Sequence, residues 1–304
     1  MRVLRLLRQA STPALPLLLL CALLTACAAT HRGYVAVSGG GRMYYEQRGS
    51  GEPLLLLHGH SLDRRMWDQQ FKPFARHYRV IRPDFRGYGK SSPQREDLAM
   101  THADDVITLL DSLHISQAHV VGLSMGAFTA GDLLAMHPER LLSCTLASGS
   151  IRRGSPGPSQ PMDSVESARR DGEIAALKLK GVEKMKREWL EQLISSGGSR
   201  RETMRRPLWR MISQWSAWQP LHKEVRLFYA SEAWAQLTRR RPDVPVLMLS
   251  GANENKSRQP QELKYLPRAT VRVIDDCGHM MNMEQPDSFN TVVLQFLEKN
   301  TKSR

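Results

Sequence analysis

The stretch Ala118-His119-Val120-Val121-Gly122-Leu123-Ser124-Met125-Gly126-Ala127 decides the fold. An apolar run reading as a strand over 118–123 stops at a serine set between two glycines. A helix reading from Met125 to Met136 starts at once. A serine in that position sits on a tight strand-to-helix turn. Small residues two positions to either side let strand and helix approach closely and leave the hydroxyl exposed. The five-residue pattern alone is weak, so its weight comes from the strand before it and the helix after it.

Working outward, Pro53–Leu57 (PLLLL) is a second continuous apolar run, followed directly by His58-Gly59. Runs of this length bounded by glycine indicate strands buried on both faces, as in a parallel sheet. Further strands are expected at 42–47, 78–83, 142–147, 244–249 and 271–274. Helices are expected at 63–77, 101–113 and 288–297. Strands alternating with helices of this size define an α/β chain with a mostly parallel, doubly wound central sheet. The gap between the strands at 142–147 and 244–249 is too long for one crossover. Residues 151–242 are therefore expected to be an insertion with structure of its own. It opens on Gly154-Ser155-Pro156-Gly157-Pro158, includes a helical pattern over 182–194 and holds five of the six tryptophans. It reads as a helical lid with an aromatic underside, and the core as 38–150 together with 243–304.

A serine hydroxyl is a poor nucleophile at neutral pH, so a base must take its proton and a carboxylate must orient that base. Of the ten histidines, His279 is best placed, because Cys277-Gly278-His279 follows the last strand and returns to the carboxyl edge of the sheet. His114 and His137 end helices, where contact with the helix dipole explains them, and His102 and His222 read as solvent-facing or lid positions. Glu254 is the first carboxylate after the strand at 244–249, giving the chain order Ser124, Glu254, His279. Asp275 and Asp276, close to His279 in sequence, are the rival acids.

Five segments in order carry a resemblance: LLLLHGHS at 54–61, DFRGYGKS at 84–91, GLSMGA at 122–127, VLMLSGANE at 246–254 and GHMMNMEQPDSF at 278–289. Across 38–298 the sequence resembles the alpha/beta-hydrolase family. The resemblance implies a serine hydrolase with Ser124, Glu254 and His279 as triad and the backbone amides of His60 and Met125 as oxyanion hole. It implies that Asp84, Arg86 and Ser91 form a structural turn network. Glu254 departs from the family's more frequent aspartate. His60 departs from a frequent apolar residue, which brings its side chain within reach of substrate. Haloalkane dehalogenases and epoxide hydrolases of this fold carry aspartate where Ser124 stands, so neither chemistry is expected.

The expected substrate is a small ester, lactone or related acyl compound, and the mechanism requires no metal or organic cofactor. The GLSMG and GHMMNMEQP segments are similar to those of small carboxylesterases and enol-lactonases. Acyl transfer and carbon-carbon bond hydrolysis use the same triad and remain alternatives, as does a binding lipoprotein without catalysis.

Residues 1–26 read as an export signal: three arginines, an apolar stretch from Pro13 to Leu24, then small residues. The stretch is too short for a spanning helix. Leu24-Thr25-Ala26-Cys27 resembles the bacterial lipobox, which implies cleavage before Cys27, lipidation of its thiol and a tether over 27–37. Ala28 after that cysteine, as in Gram-negative lipoproteins, favours the periplasmic face of the outer membrane. The formal charge of +13 fits an anionic membrane surface. Neither zinc-finger spacing, nor an aromatic-glycine RNA-binding signature, nor a basic heptad region accompanies it, so no nucleic-acid partner is expected. Cys144, at the start of one strand, and Cys277, just past the end of another, are expected on opposite edges of the parallel sheet and unpaired.

Overall fold

The computed structural model describes residues 29–97, 100–152, 164–223, 228–254 and 261–301. The export signal, Cys27 and the Gly154–Pro158 entry to the insertion lie outside them.

Leu54, Leu55, Leu56 and Leu57 are all fully buried, and their period-two geometry explains how. Leu55 and Leu57 face one hydrophobic cluster with Val120, Leu146 and Met248, whereas Leu54 and Leu56 face another with Val121, Leu247 and Leu249. A sheet that is apolar on both faces needs helices on both. The strands are β1 (His31–Val37), β2 (Gly41–Arg48), β3 (Pro53–Leu57), β4 (Arg79–Pro83), β5 (Ala118–Leu123), β6 (Leu141–Ala147), β7 (Val246–Gly251) and β8 (Ala269–Ile274). Their order is β1-β2-β4-β3-β5-β6-β7-β8. β1 and β2 pair antiparallel, as do β2 and β4, and every other pairing is parallel.

The core helices are α1 (Asp68–Phe74), α2 (His102–Ser112) and α3 (Met125–Met136). The insertion supplies α4 (Ser164–Lys180), α5 (Val182–Ser195), α6 (Arg201–Ile212), α7 (Trp218–Leu221) and α8 (Ser231–Arg240). The chain closes with α9 (Met281–Glu284) and α10 (Pro286–Asn300). Among the described residues no helix is long and apolar enough to cross a membrane.

Several expectations need correction. His31–Val37, assigned to the tether, is an edge strand in register with β2 (Tyr34 opposite Tyr44), and only its alternate Val35 and Val37 are buried. The helix expected at 63–77 is a short 3-10 turn over Arg64–Trp67 followed by α1. Asp63 caps the turn by accepting the Arg65 N–H, and Pro73 lies within α1 one residue before its end. Helix α8 packs through Ala233 and Leu237 into the core cluster that includes α3, so the insertion's last helix belongs to the core layer. Cys277 lies past the carboxyl end of β8 as expected, whereas Cys144 is the fourth of the seven residues of β6 and not at the start of its strand. Both are buried free thiols, in clusters on opposite faces of the sheet. His102, expected at the solvent or the lid, is fully buried at the start of α2 with its ring 4.6 Å from that of Phe85.

Glu46 of β2 anchors the antiparallel end. Its carboxylate accepts from Arg82 at 2.7 Å, lies 3.1 Å from Arg64 Nε and takes the Tyr44 hydroxyl at 3.1 Å. Burial raises its pKa, but the Arg82 and Arg64 guanidiniums outweigh that and hold it at about 2. A depressed folded-state pKa contributes stability that is complete above the unfolded value and is lost as pH falls through the folded one. Glu46→Gln is therefore expected to destabilise by roughly 2–3 kcal/mol at pH 7. In urea melts across pH, the gap from the parent should narrow between about 4.5 and about 2. A gap constant over that window would contradict the assignment.

Candidate active site

The β5–α3 turn holds Ser124 at φ 56° and ψ −115°. A non-glycine residue persists there only where its surroundings over-determine it. A Cβ on Gly126 would lie 2.0 Å from the Leu57 carbonyl oxygen, and one on Gly122 would lie 2.1 Å from that of Gly126. Neither position admits a side chain, so strand and helix close to backbone contact around the serine. The Ser124 N–H donates to Ala147 O at 2.9 Å, tying the turn to the end of β6.

β5 to β8 are consecutive neighbours, and the segment following each carries one polar residue of the site: Ser124, Ser148, Glu254 and His279. His279 Nδ1 lies 3.0 Å from Glu254 Oε1. A carboxylate only accepts, so Nδ1 carries the proton and Nε2 is left as an acceptor. The other carboxylate oxygen accepts from Ser148 Oγ at 2.8 Å and from the Gly251 N–H at 3.1 Å. Ser148 Oγ also lies within 3.1 Å of the His279 carbonyl oxygen, so it touches both the acid and the base. The rival acids are elsewhere. Asp275 is exposed, and Asp276 accepts from the Ser199 N–H at 2.8 Å on the outside of the molecule. Ser148 was not singled out from sequence, and the only signal available was a hydroxyl directly after an apolar strand.

The loop after β3 passes Ser124 closely: a Cβ on Gly59 would meet Ser124 Cβ at 3.6 Å. His58 fixes that loop. Its Nε2 accepts the Phe85 N–H at 2.9 Å, so its Nδ1 donates to Gly59 O at 2.9 Å. Burial lowers its pKa, keeping the ring neutral. Met125 is the first residue of α3, so its N–H has no intrahelical acceptor. His60 lies under the lid, its ring 4.9 Å from that of Trp215 and 6.0 Å from that of Trp189, and burial pushes its pKa down to about 4. The Trp189 indole donates to Ser61 Oγ at 2.6 Å, and that of Trp215 to Gln219 Oε1 at 3.0 Å. The aromatic underside expected of the insertion is thus formed by Trp189 and Trp215.

Asp84, Arg86 and Ser91 hold turns. Asp84 accepts from the Arg64 backbone N–H at 2.9 Å, from its guanidinium at 2.7 Å and from the Lys90 N–H at 2.9 Å. Arg86 pairs with buried Asp105, and Ser91 Oγ donates to Asp84 O. A cleft of about 270 Å³ runs along the seam between lid and core, beside Ser61, Arg65, Lys90, Arg210 and Trp215. Among the described residues no cluster of three His, Cys, Asp or Glu side chains could hold a metal ion.

The fold has counterparts among known proteins. A solved hydrolase from Pseudomonas aeruginosa superposes with a TM-score of 0.63 at 25% identity, covering 88% of this chain and 98% of that one. The chain is 24% identical over 269 residues to (E)-2-((N-methylformamido)methylene)succinate hydrolase of Acinetobacter baylyi, covering 84% of this chain and 94% of the relative. It is 26% identical over 279 residues to 2-hydroxy-6-oxononadienedioate/2-hydroxy-6-oxononatrienedioate hydrolase 2 of Pseudomonas putida, covering 84% and 92%. The model of the alpha/beta hydrolase family matches residues 54–292, and the chain belongs to that family. These three relatives are named as hydrolases.

Proposed function

We propose that the protein is a serine hydrolase that cleaves an ester, lactone or related acyl bond through Ser124, His279 and Glu254. The observation that carries this reading is the 3.0 Å contact of Glu254 with His279 Nδ1, which leaves Nε2 as an acceptor on a residue that shares the carboxyl edge of the sheet with Ser124 in its strained turn. His279 takes the Ser124 proton as the oxygen attacks the substrate carbonyl. The amides of His60 and Met125 stabilise the negative charge that develops on the carbonyl oxygen. His279 protonates the leaving group, and the acyl-enzyme is then hydrolysed by water that the same imidazole activates. Glu254 fixes the imidazole tautomer and stabilises its cationic form, and Ser148 holds Glu254 in place.

Two relatives, named for the hydrolysis of an enamide-type succinate and of oxo-dienedioates, favour one second reading: cleavage of an amide or carbon-carbon bond with the same residues. Transfer of the acyl group to an acceptor other than water differs only in what attacks the acyl-enzyme. The test is a nitrophenyl ester series from acetyl to dodecanoyl, run on protein beginning after Cys27 and compared with lactones, amides and an oxo-dienoate. Turnover of esters or lactones with a defined chain-length optimum is the expected result. Turnover confined to the amide or the oxo-dienoate moves the assignment to the second reading, and failure on every class overturns it.

We propose separately, from the export signal over 1–26 and the lipobox-like Leu24-Thr25-Ala26-Cys27, that the enzyme is held to a membrane outside the cytoplasm by lipid on Cys27. The mature protein should begin at an acylated Cys27 in intact-mass measurement, and a soluble Cys27→Ser product is the expected contrast.

A further inference from the structure

The backbone of Tyr88 helps close the DFRGYGKS turn, donating to Phe85 O at 3.0 Å and accepting the Ser91 N–H at 3.1 Å, while its side chain reaches a different pair of residues. The Tyr88 hydroxyl lies 2.8 Å from His60 Nδ1 and donates to Met125 Sδ at 3.4 Å. It therefore touches the side chains of both residues whose amides serve as the oxyanion hole in the function proposed above. The two amides belong to different elements, the loop after β3 and the first turn of α3, and no direct bond between the side chains of His60 and Met125 joins them among the described residues. Tyr88 is 2% exposed, its ring packing edge-on against those of His58 at 5.3 Å and His60 at 5.9 Å, so the hydroxyl is held where it is by packing. His60 is confined on its other sides by Trp215 and Trp189.

We infer that Tyr88 is a positioning residue for the oxyanion hole, its hydroxyl setting the spacing of the His60 and Met125 amides. The inference rests on the serine-hydrolase reading. Donors aimed at a developing charge contribute only if they are held in place before the reaction, because realigning them consumes the stabilisation they give. An oxyanion-hole donor lost outright costs about 10²–10³ in kcat, so two donors kept but loosened should cost less, about tenfold to a hundredfold. Substrate binding precedes the charge, so KM should barely move.

The experiment compares Tyr88→Phe, His60→Phe and the double variant, measuring kcat, KM and the affinity of a trifluoromethyl ketone that forms a tetrahedral adduct with the serine. Tyr88→Phe keeps the ring and removes only the oxygen. The expected result is a fall in kcat with KM unchanged, ketone affinity falling by the same factor, and a double variant no worse than the poorer single one. Hydrogen exchange across 58–62 should rise in Tyr88→Phe at unchanged melting temperature, a readout that holds even if no ester is turned over. Unchanged exchange there, unchanged ketone affinity or additive losses would overturn the inference. An inactive parent with raised exchange in Tyr88→Phe would count against the hydrolase reading and not against the bridge.

Discussion

Ser124→Ala is expected to lower kcat/KM by about 10⁴–10⁶, the largest effect of any single substitution in the chain. The serine supplies the atom that bonds to the acyl carbon, and without it only the amides and the binding pocket remain. Removing His279 as well should add little, because members of such a unit fail together. Stability should stay within about 0.5 kcal/mol of the parent. The strain at φ 56° belongs to the backbone and is the same for alanine, and the half-buried hydroxyl fills no packed space. Circular dichroism melts beside the kinetics would separate loss of the nucleophile from loss of the fold.

Glu254→Ala should follow, with a loss of about 10³–10⁴ in kcat. The carboxylate fixes the Nδ1–H tautomer, and without it His279 is free to present a protonated Nε2 to the serine, which cannot then act as base. Ser148 and the Gly251 amide would also be left facing a vacated site. Asp276→Ala is the control: its carboxylate binds Ser199 on the surface, and kcat should not change. A defect in Asp276→Ala equal to that in Glu254→Ala would mean that the acid has been assigned wrongly.

The carboxyl edge of the sheet that carries the proposed site is legible because each of its pieces carries a local signal. A Cβ on Gly122 or Gly126 would fall 2.0–2.1 Å from a backbone oxygen, and strict geometry of that kind leaves a short motif in the sequence. The buried strands were legible as apolar runs for the same reason that Leu54–Leu57 serves both faces of the sheet. Elements whose identity depends on distant partners were not. β1 contributes only Val35 and Val37 to the core and is a strand because β2 pairs with it. Ser148 and Tyr88 escaped notice because a lone hydroxyl becomes informative only when its neighbours are in place. His102 reads from sequence as a solvent or lid position, and only the assembled fold shows Phe85 and Phe228 packed against its ring.

The central claim is that Ser124 is the nucleophile of an acyl-enzyme, and covalent capture tests it most directly. The protein would be treated with a fluorophosphonate, weighed intact and digested to locate the adduct. The account predicts one adduct per chain, on the peptide containing Gly122-Leu123-Ser124-Met125-Gly126, absent from Ser124→Ala and much slower to form in His279→Ala. An unlabelled protein, or an adduct on another residue that persists in Ser124→Ala, would contradict it.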